Sequence, residues 1–212
     1  MANYYPVYID LNHKPVLVVG GGTVACRKVE TLLRYGAMVR IISPEIIPAL
    51  QPLIDGVHCI WINKTYERED IQNAVLVFSC TEKEEVNARV AQDAKARNIL
   101  INVVDDPEKC SFFVPSVLKR GDLSIAVSTG GSSPLVARQI REELENFYGN
   151  EMAEYLELLR TWRLEAKNKL PGIKRQKLWA QVTDGRVLQL IKKGQLDQAK
   201  EVIENCFQSL LD

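Results

Sequence analysis

The chain has 212 residues, 46% of them apolar and 25% charged, enough for one sizeable core or a domain of about 110 residues with smaller appendages. Its 27 basic and 27 acidic residues cancel, so nothing global points to nucleic acid as a partner. No apolar run reaches the length of a bilayer span and no signal-peptide pattern opens the chain, so a cytoplasmic protein without a membrane partner is expected.

Residues 4–10 read as an extended segment ending in a polar turn at 11–14, where His13 is a turn residue. A short apolar run, 15–19, leads into Gly20-Gly21-Gly22-Thr23-Val24-Ala25 and then a helical pattern with Val24, Val29, Leu32 and Leu33 on one face. Gly36 stands where a helix C-terminus favours positive φ, and a second β-rich run, 38–43, follows. Strand, glycine turn, helix and strand make a βαβ unit. Reading G-x-G-x-x-G/A from Gly20 gives Gly20, Gly22 and Ala25. The first glycine permits the tight turn and the second lets the backbone approach a pyrophosphate. The third position allows close helix–strand contact. The helix N-terminus then offers unpaired N–H groups to a phosphate. Glu45, 23 residues after Gly22, falls just past the second strand, where a carboxylate holds the adenosine ribose hydroxyls of NAD. An acid following Pro44 also reads as a solvated surface charge. The absence of a basic residue at 43–45 favours NAD over NADP.

Beyond this unit, the sequence predicts a short helix over 46–53, interrupted by Pro48 and Pro52, and a third strand over 57–62. A polar connection, 66–72, precedes a buried fourth strand, 74–79. A helix over 83–97 turns Val86, Val90, Ala91 and Ala94 inward, and 99–104 makes a fifth strand. Alternating apolar runs and helices predict an α/β fold with a Rossmann-like parallel sheet. Ligands of such sheets sit beyond the carboxyl ends of the strands, which groups Gly20–Gly22, Ser43, Pro44, Glu45, Thr81 and Asp105 on one rim.

The character then changes. Residues 112–118 and 123–128 are β-rich and joined by Lys119-Arg120-Gly121-Asp122, a hairpin signal. Its apolar strands are poor exposed edges, so a partner chain is expected to cover them. Ser128-Thr129-Gly130-Gly131-Ser132-Ser133-Pro134 leads into a helix to about residue 148, with Ser133 as N-cap. From 150 the pattern is all helical, broken at Pro171-Gly172. The expected division is 1–112 for nucleotide binding, 113–149 as a hairpin/helix dimerisation segment and 150–212 as a helical domain. Cys26, Cys59, Cys80, Cys110 and Cys206 are scattered, odd in number and never spaced C-x-x-C. They read as free thiols of a reducing compartment, and no metal site is expected.

Val18-Val19-Gly20-Gly21-Gly22-Thr23-Val24-Ala25-Cys26-Arg27-Lys28, residues 81–87, Asn102-Val103-Val104-Asp105-Asp106-Pro107 and the 128–134 motif together resemble precorrin-2 dehydrogenase, the N-terminal module of siroheme synthase. The resemblance runs from about residue 6 to residue 148 and is fainter beyond. It implies NAD-dependent oxidation of precorrin-2 to sirohydrochlorin by a homodimer whose segment 113–149 intertwines with its twin, with a small helical domain closing the cleft. Some relatives also insert ferrous iron into sirohydrochlorin, and full synthases carry a methyltransferase. The chain ends at Asp212, so that module is not expected. Asp105 matches the aspartate assigned acid–base duty, and Thr23, Val24, Pro44 and Glu45 match NAD-contacting positions. Ser128 and Thr129 match a Ser-Ser pair, Thr129 departing from it while keeping the hydroxyl.

The chemistry of the residues agrees with this. Dehydrogenation needs a proton acceptor beside the cofactor, and Asp105 is suitably placed, with Asp106 expected to raise its proton affinity. A turn aspartate before Pro107 is the plain alternative. A substrate with eight carboxylates calls for cations and N–H donors. Ser128, Thr129, Gly130, Gly131 and Ser132 at a helix start are candidates, against a simple turn plus N-cap. Arg138, Arg141 and the seven basic residues between 160 and 177 are further candidates, against a solvated helix face. Two rival readings stand beside the dehydrogenase: a bifunctional enzyme that also inserts iron, and an NAD-sensing regulatory domain without a reaction.

Overall fold

The computed structural model describes residues 4–211, which fall into two compact units divided between Val114 and Pro115. In the first, β1 (Pro15–Val19), β2 (Met38–Ile42), β3 (Cys59–Ile62), β4 (Leu76–Ser79) and β5 (Leu100–Val103) form one sheet. Every pairing is parallel and the order is β3-β2-β1-β4-β5, so the direction of winding reverses between β1 and β4. Period-two alternation splits the strand residues between two cores. Val16, Val18, Val39, Ile41, Leu76 and Phe78 face α1 (Thr23–Arg34), meeting its Ala25, Cys26, Val29 and Leu32. Leu17, Val19, Ile42, Val77, Ile101 and Val103 face the other side, where α2 (Glu84–Ala96) brings Val90, Ala91 and Ala94.

Local chemistry trims the predicted elements. Val24 is 38% exposed, one position round from the buried stripe of α1. The segment expected to be helical over 46–53 is a 3-10 helix, Pro48–Leu53. Pro52 brings no N–H for an α-helical ladder. The third strand starts two residues later than expected. The Asp55 carboxylate accepts the Val57, His58 and Cys59 N–H groups at 2.9, 2.7 and 2.9 Å and holds 55–58 in a turn. A second 3-10 helix, Arg68–Ile71, lies in the polar connection.

The second unit begins with an antiparallel hairpin, β6 (Ser116–Arg120) and β7 (Leu123–Val127). Arg120 pairs with Leu123, so the loop is the two residues Gly121-Asp122, with Gly121 at φ 56°. A side chain there would also meet Ala153 Cβ at 2.8 Å. Helices α3 (Pro134–Phe147), α4 (Glu151–Lys169), α5 (Gly172–Val182), α6 (Arg186–Lys192) and α7 (Leu196–Gln208) follow. The last four share a core of Tyr155, Ala166, Leu178, Val182, Val187, Ile191, Ala199, Ile203 and Phe207. Helix α3 instead leaves Leu135, Val136, Ile140 and Phe147 exposed. Among the described residues, no helix is long and apolar enough to cross a membrane.

Candidate functional site

The carboxyl edge of the sheet gathers the predicted residues of the first unit. Gly20 N donates to Ile42 O (2.9 Å), Cys80 N to Val19 O (2.8 Å) and Val104 N to Ser79 O (3.0 Å). These bonds carry the parallel ladder one step past the strand ends and set the rim residues side by side. Along the rim run Glu45 after β2, the glycine turn after β1, Thr81 after β4 and Asp105 after β5. With strands about 4.8 Å apart, Asp105 stands two strand spacings, roughly 10 Å, from the glycine turn.

The three glycines differ in what they do. Gly20 adopts φ 116°, and a Cβ there would lie 2.6 Å from the Cys80 carbonyl oxygen. At Gly21 it would run into the Glu45 carbonyl and lie 2.9 Å from both Ser43 Oγ and Ile46 Cγ2. Gly22, the N-cap of α1, has an ordinary φ of −87° and nothing within 4 Å of the Cβ position. Packing therefore explains the first two glycines and leaves the third unexplained. The space before Gly22 is open, and α1 starts with no side-chain cap and no acid in its first turn. Its first N–H groups, from Thr23 onward, are free to bind an anion. A dinucleotide pyrophosphate fits these donors and this clearance.

The neighbouring rim residues are partly engaged. Ser43 Oγ donates to the Glu45 carbonyl at 2.6 Å and closes the turn after β2, while the Glu45 carboxylate is exposed. Thr81 Oγ1 accepts the Lys83 N–H at 3.0 Å and pairs with Asn87 Oδ1 at 3.2 Å. Asn87, buried, also accepts from Ser79 Oγ at 2.7 Å and donates to the Thr81 carbonyl at 2.9 Å. Asp105 sits at φ 60°, a left-handed conformation that Asp and Asn tolerate better than most residues. Its side chain is exposed, with no hydrogen-bond or ion-pair partner among the described residues. Asp106 was expected to press on that carboxyl. Instead, Lys109 clamps it by a hydrogen-bonded ion pair that holds the Asp106 carboxyl below its usual range, and the same ammonium reaches Glu84 at 2.6 Å. The neighbouring charge is thus balanced within the turn.

In the second unit the 128–134 loop is closed by its own side chains. Ser128 Oγ accepts the Gly130 N–H at 3.2 Å, and Thr129 Oγ1 exchanges bonds with Ser133 N (3.0 Å) and O (2.9 Å). Gly130 and Gly131 take φ of 62° and 89°, and Ser132 is exposed. Ser133 caps α3 by accepting from Val136 N at 3.3 Å. The Arg138 guanidinium is engaged one turn along by Glu142, at 2.8 Å. Of the basic run, Arg160 pairs with Glu157 at 2.6 Å, Lys169 pairs with Glu165 at 2.9 Å, and Arg175 donates to the Leu170 carbonyl at 3.2 Å. A cavity of about 450 Å³ lies among Leu156, Leu159, Arg163 and Trp179 in this unit.

Three family models tile this chain. Residues 7–116 match a putative NAD(P)-binding family, 120–146 the central part of sirohaem biosynthesis proteins and 152–207 the sirohaem synthase dimerisation region. The chain belongs to the sirohaem synthase family. It is 41% identical to a siroheme synthase of Mannheimia succiniciproducens and 40% identical to one of Actinobacillus succinogenes, each over 95% of this chain and 43% of the relative. The chain therefore spans about two-fifths of the length of these curated relatives. It also superposes on SirC, a precorrin-2 dehydrogenase, with a TM-score of 0.80 and 25% identity, over 95% of this chain and all of that one.

For a member of the sirohaem synthase family, two rim features escape the sequence reading. One is the Asn87 network, signalled only by an asparagine on the same helical stripe as Val90, Ala91 and Ala94. The other is Lys28, half-buried on α1 with its Nζ 5.4 Å from the Phe78 ring centroid. Among the described residues, no set of three or more His, Cys, Asp or Glu side chains is arranged to hold a metal ion.

Proposed function

We propose that the chain is an NAD-dependent precorrin-2 dehydrogenase of siroheme biosynthesis, working in the cytoplasm as a homodimer. The observation that carries this reading is the shared carboxyl rim, where a free carboxylate on β5 and an open, uncapped helix start on β1 flank the point of strand reversal. Gly20, Gly21, Gly22, Thr23 and Val24 form the pyrophosphate seat, with Gly22 giving clearance and the α1 N–H groups giving hydrogen bonds. Ser43, Pro44 and Glu45 take the adenosine side over β2, and Thr81 shapes the floor over β4. NAD, when bound, supplies the hydride acceptor. Asp105 removes the proton that leaves the macrocycle, a general-base contribution of about 10²–10⁴-fold. Its exposed carboxylate, unspent on any internal partner, suits that duty better than a purely structural turn. Ser128, Thr129, Gly130, Gly131, Ser132 and Arg138 are the proposed contacts to substrate carboxylates in the second unit. The apolar stripe left open on α3 supports burial against a second copy. Mixing the chain with precorrin-2 and NAD while following NADH absorbance tests the reading. NADH accumulates if it holds; NAD binding without NADH formation overturns it in favour of a sensor.

A further inference from the structure

We propose that the Lys28 ammonium is a carboxylate seat on the β4 side of the rim, holding one acidic side chain of the substrate macrocycle. The identity of the anion rests on the dehydrogenase reading; the seat itself rests on geometry. Lys28 lies in the second turn of α1, and a helical side chain leans back toward its own N-terminus, here toward the rim. Its Nζ stands above Phe78, one residue before the end of β4. The ionisable groups acting on it are the thiols of Cys80, just past β4, and Cys110, which is bonded to Val103 at the end of β5. Phe112 packs edge-on against Phe78 at 5.6 Å and helps wall off this corner.

No carboxylate among the described residues lies within ion-pairing distance of Lys28. Burial accordingly pushes its proton affinity down, and the neighbouring thiols, Cys80 itself raised by burial to about 12, supply no anion at neutral pH. A half-buried cation without a counter-ion is costly unless a ligand completes it. The Phe78 face recovers only part of that cost. The position selects among anions. The glycine turn, where a pyrophosphate would sit, follows β1, whereas Lys28 addresses β4 and the segment after β5, on the side of Asp105. A polycarboxylate held there brings its ring edge toward the proposed base, and a cation at this point also steers a polyanion into the crevice.

The test uses the full chain and uroporphyrin III, an octacarboxylated tetrapyrrole, followed by fluorescence anisotropy, with NADH titration and thermal melting in parallel. Lys28→Met is expected to weaken uroporphyrin binding roughly 10- to 100-fold, the loss of one charge-assisted contact, while NADH affinity stays unchanged. Lys28→Arg restores most of the affinity. The melting temperature of Lys28→Met is expected to equal or exceed that of the wild type, because a desolvated charge has been removed. A purely structural lysine gives the reverse: a lower melting temperature and unaltered uroporphyrin binding, which overturns the proposal. Joint loss of NADH and uroporphyrin affinity reassigns the lysine to the cofactor phosphates and overturns it as well. So does a wild-type chain that fails to bind uroporphyrin. A wild type that binds it yet forms no NADH from precorrin-2 removes the dehydrogenase reading and leaves the seat standing.

Discussion

Adjacent glycines in the turn after β1 make opposite predictions. At Gly22 an alanine Cβ meets nothing within 4 Å, and φ −87° with ψ −170° is ordinary extended backbone. Gly22→Ala should therefore fit without a clash and change stability by no more than about 1 kcal/mol in either direction, the gain through the unfolded chain opposing the poorer N-cap. The same methyl fills the space through which a pyrophosphate, in the proposed binding mode, would reach the α1 N–H groups. Losing one charge-assisted bond costs about 1.5–3 kcal/mol, or roughly 10- to 150-fold in NADH affinity. At Gly21 the methyl collides with the Glu45 carbonyl, Ser43 Oγ and Ile46 Cγ2, so Gly21→Ala should destabilise the fold by about 1–3 kcal/mol. Urea denaturation and NADH fluorescence titration of the two variants separate the effects. Wild-type NADH affinity in Gly22→Ala would refute the placement of the pyrophosphate, and wild-type stability in Gly21→Ala would refute the packing.

Asp105→Asn keeps a residue that tolerates φ 60° and removes the proposed base. It should lower kcat by about 10²–10⁴-fold with NADH affinity and melting temperature unchanged, checked by steady-state kinetics. The Lys109 clamp holds the Asp106 carboxyl low, so its stabilisation is complete above the ordinary aspartate range and disappears as pH falls through the depressed folded value. Lys109→Met should flatten the acid limb of a melting-temperature profile, and an unaltered limb would remove the clamp from the account. Burial raises the Cys59 and Cys80 thiols to about 11 and about 12, so iodoacetamide at mildly alkaline pH should spare both in the native protein. Peptide mapping of the alkylated chain reads this directly.

The sheet was legible because parallel strands buried on both faces read as apolar runs, and 15–19, 74–79 and 99–104 each found their place. The glycine turn was legible for a different reason, since Gly20 and Gly21 are required by close backbone contact. What periodicity missed lies in side-chain bonding. The late start of β3 depends on three N–H groups turning to Asp55, and the balance of charge at Asp106 depends on a lysine three residues on. The rim lysine was invisible because a lysine beside a buried stripe has the same spacing whether its ammonium reaches water or a thiol-lined corner. The separation of α5, α6 and α7 rests on short turns at Gly185 and Gly194, both with positive φ, which a continuous helical reading runs through.

The left-handed backbone at Asp105 has an evolutionary corollary. Of the side chains that sit comfortably at that turn, asparagine and glycine are each one nucleotide away from aspartate, and neither carries an acid. On the proposed reading, drift there would leave a protein that expresses, folds and holds its nucleotide while having lost the proposed base. Catalytically silent descendants of this architecture are therefore to be sought by reading that single codon, since their thermal stability would give no sign of the loss.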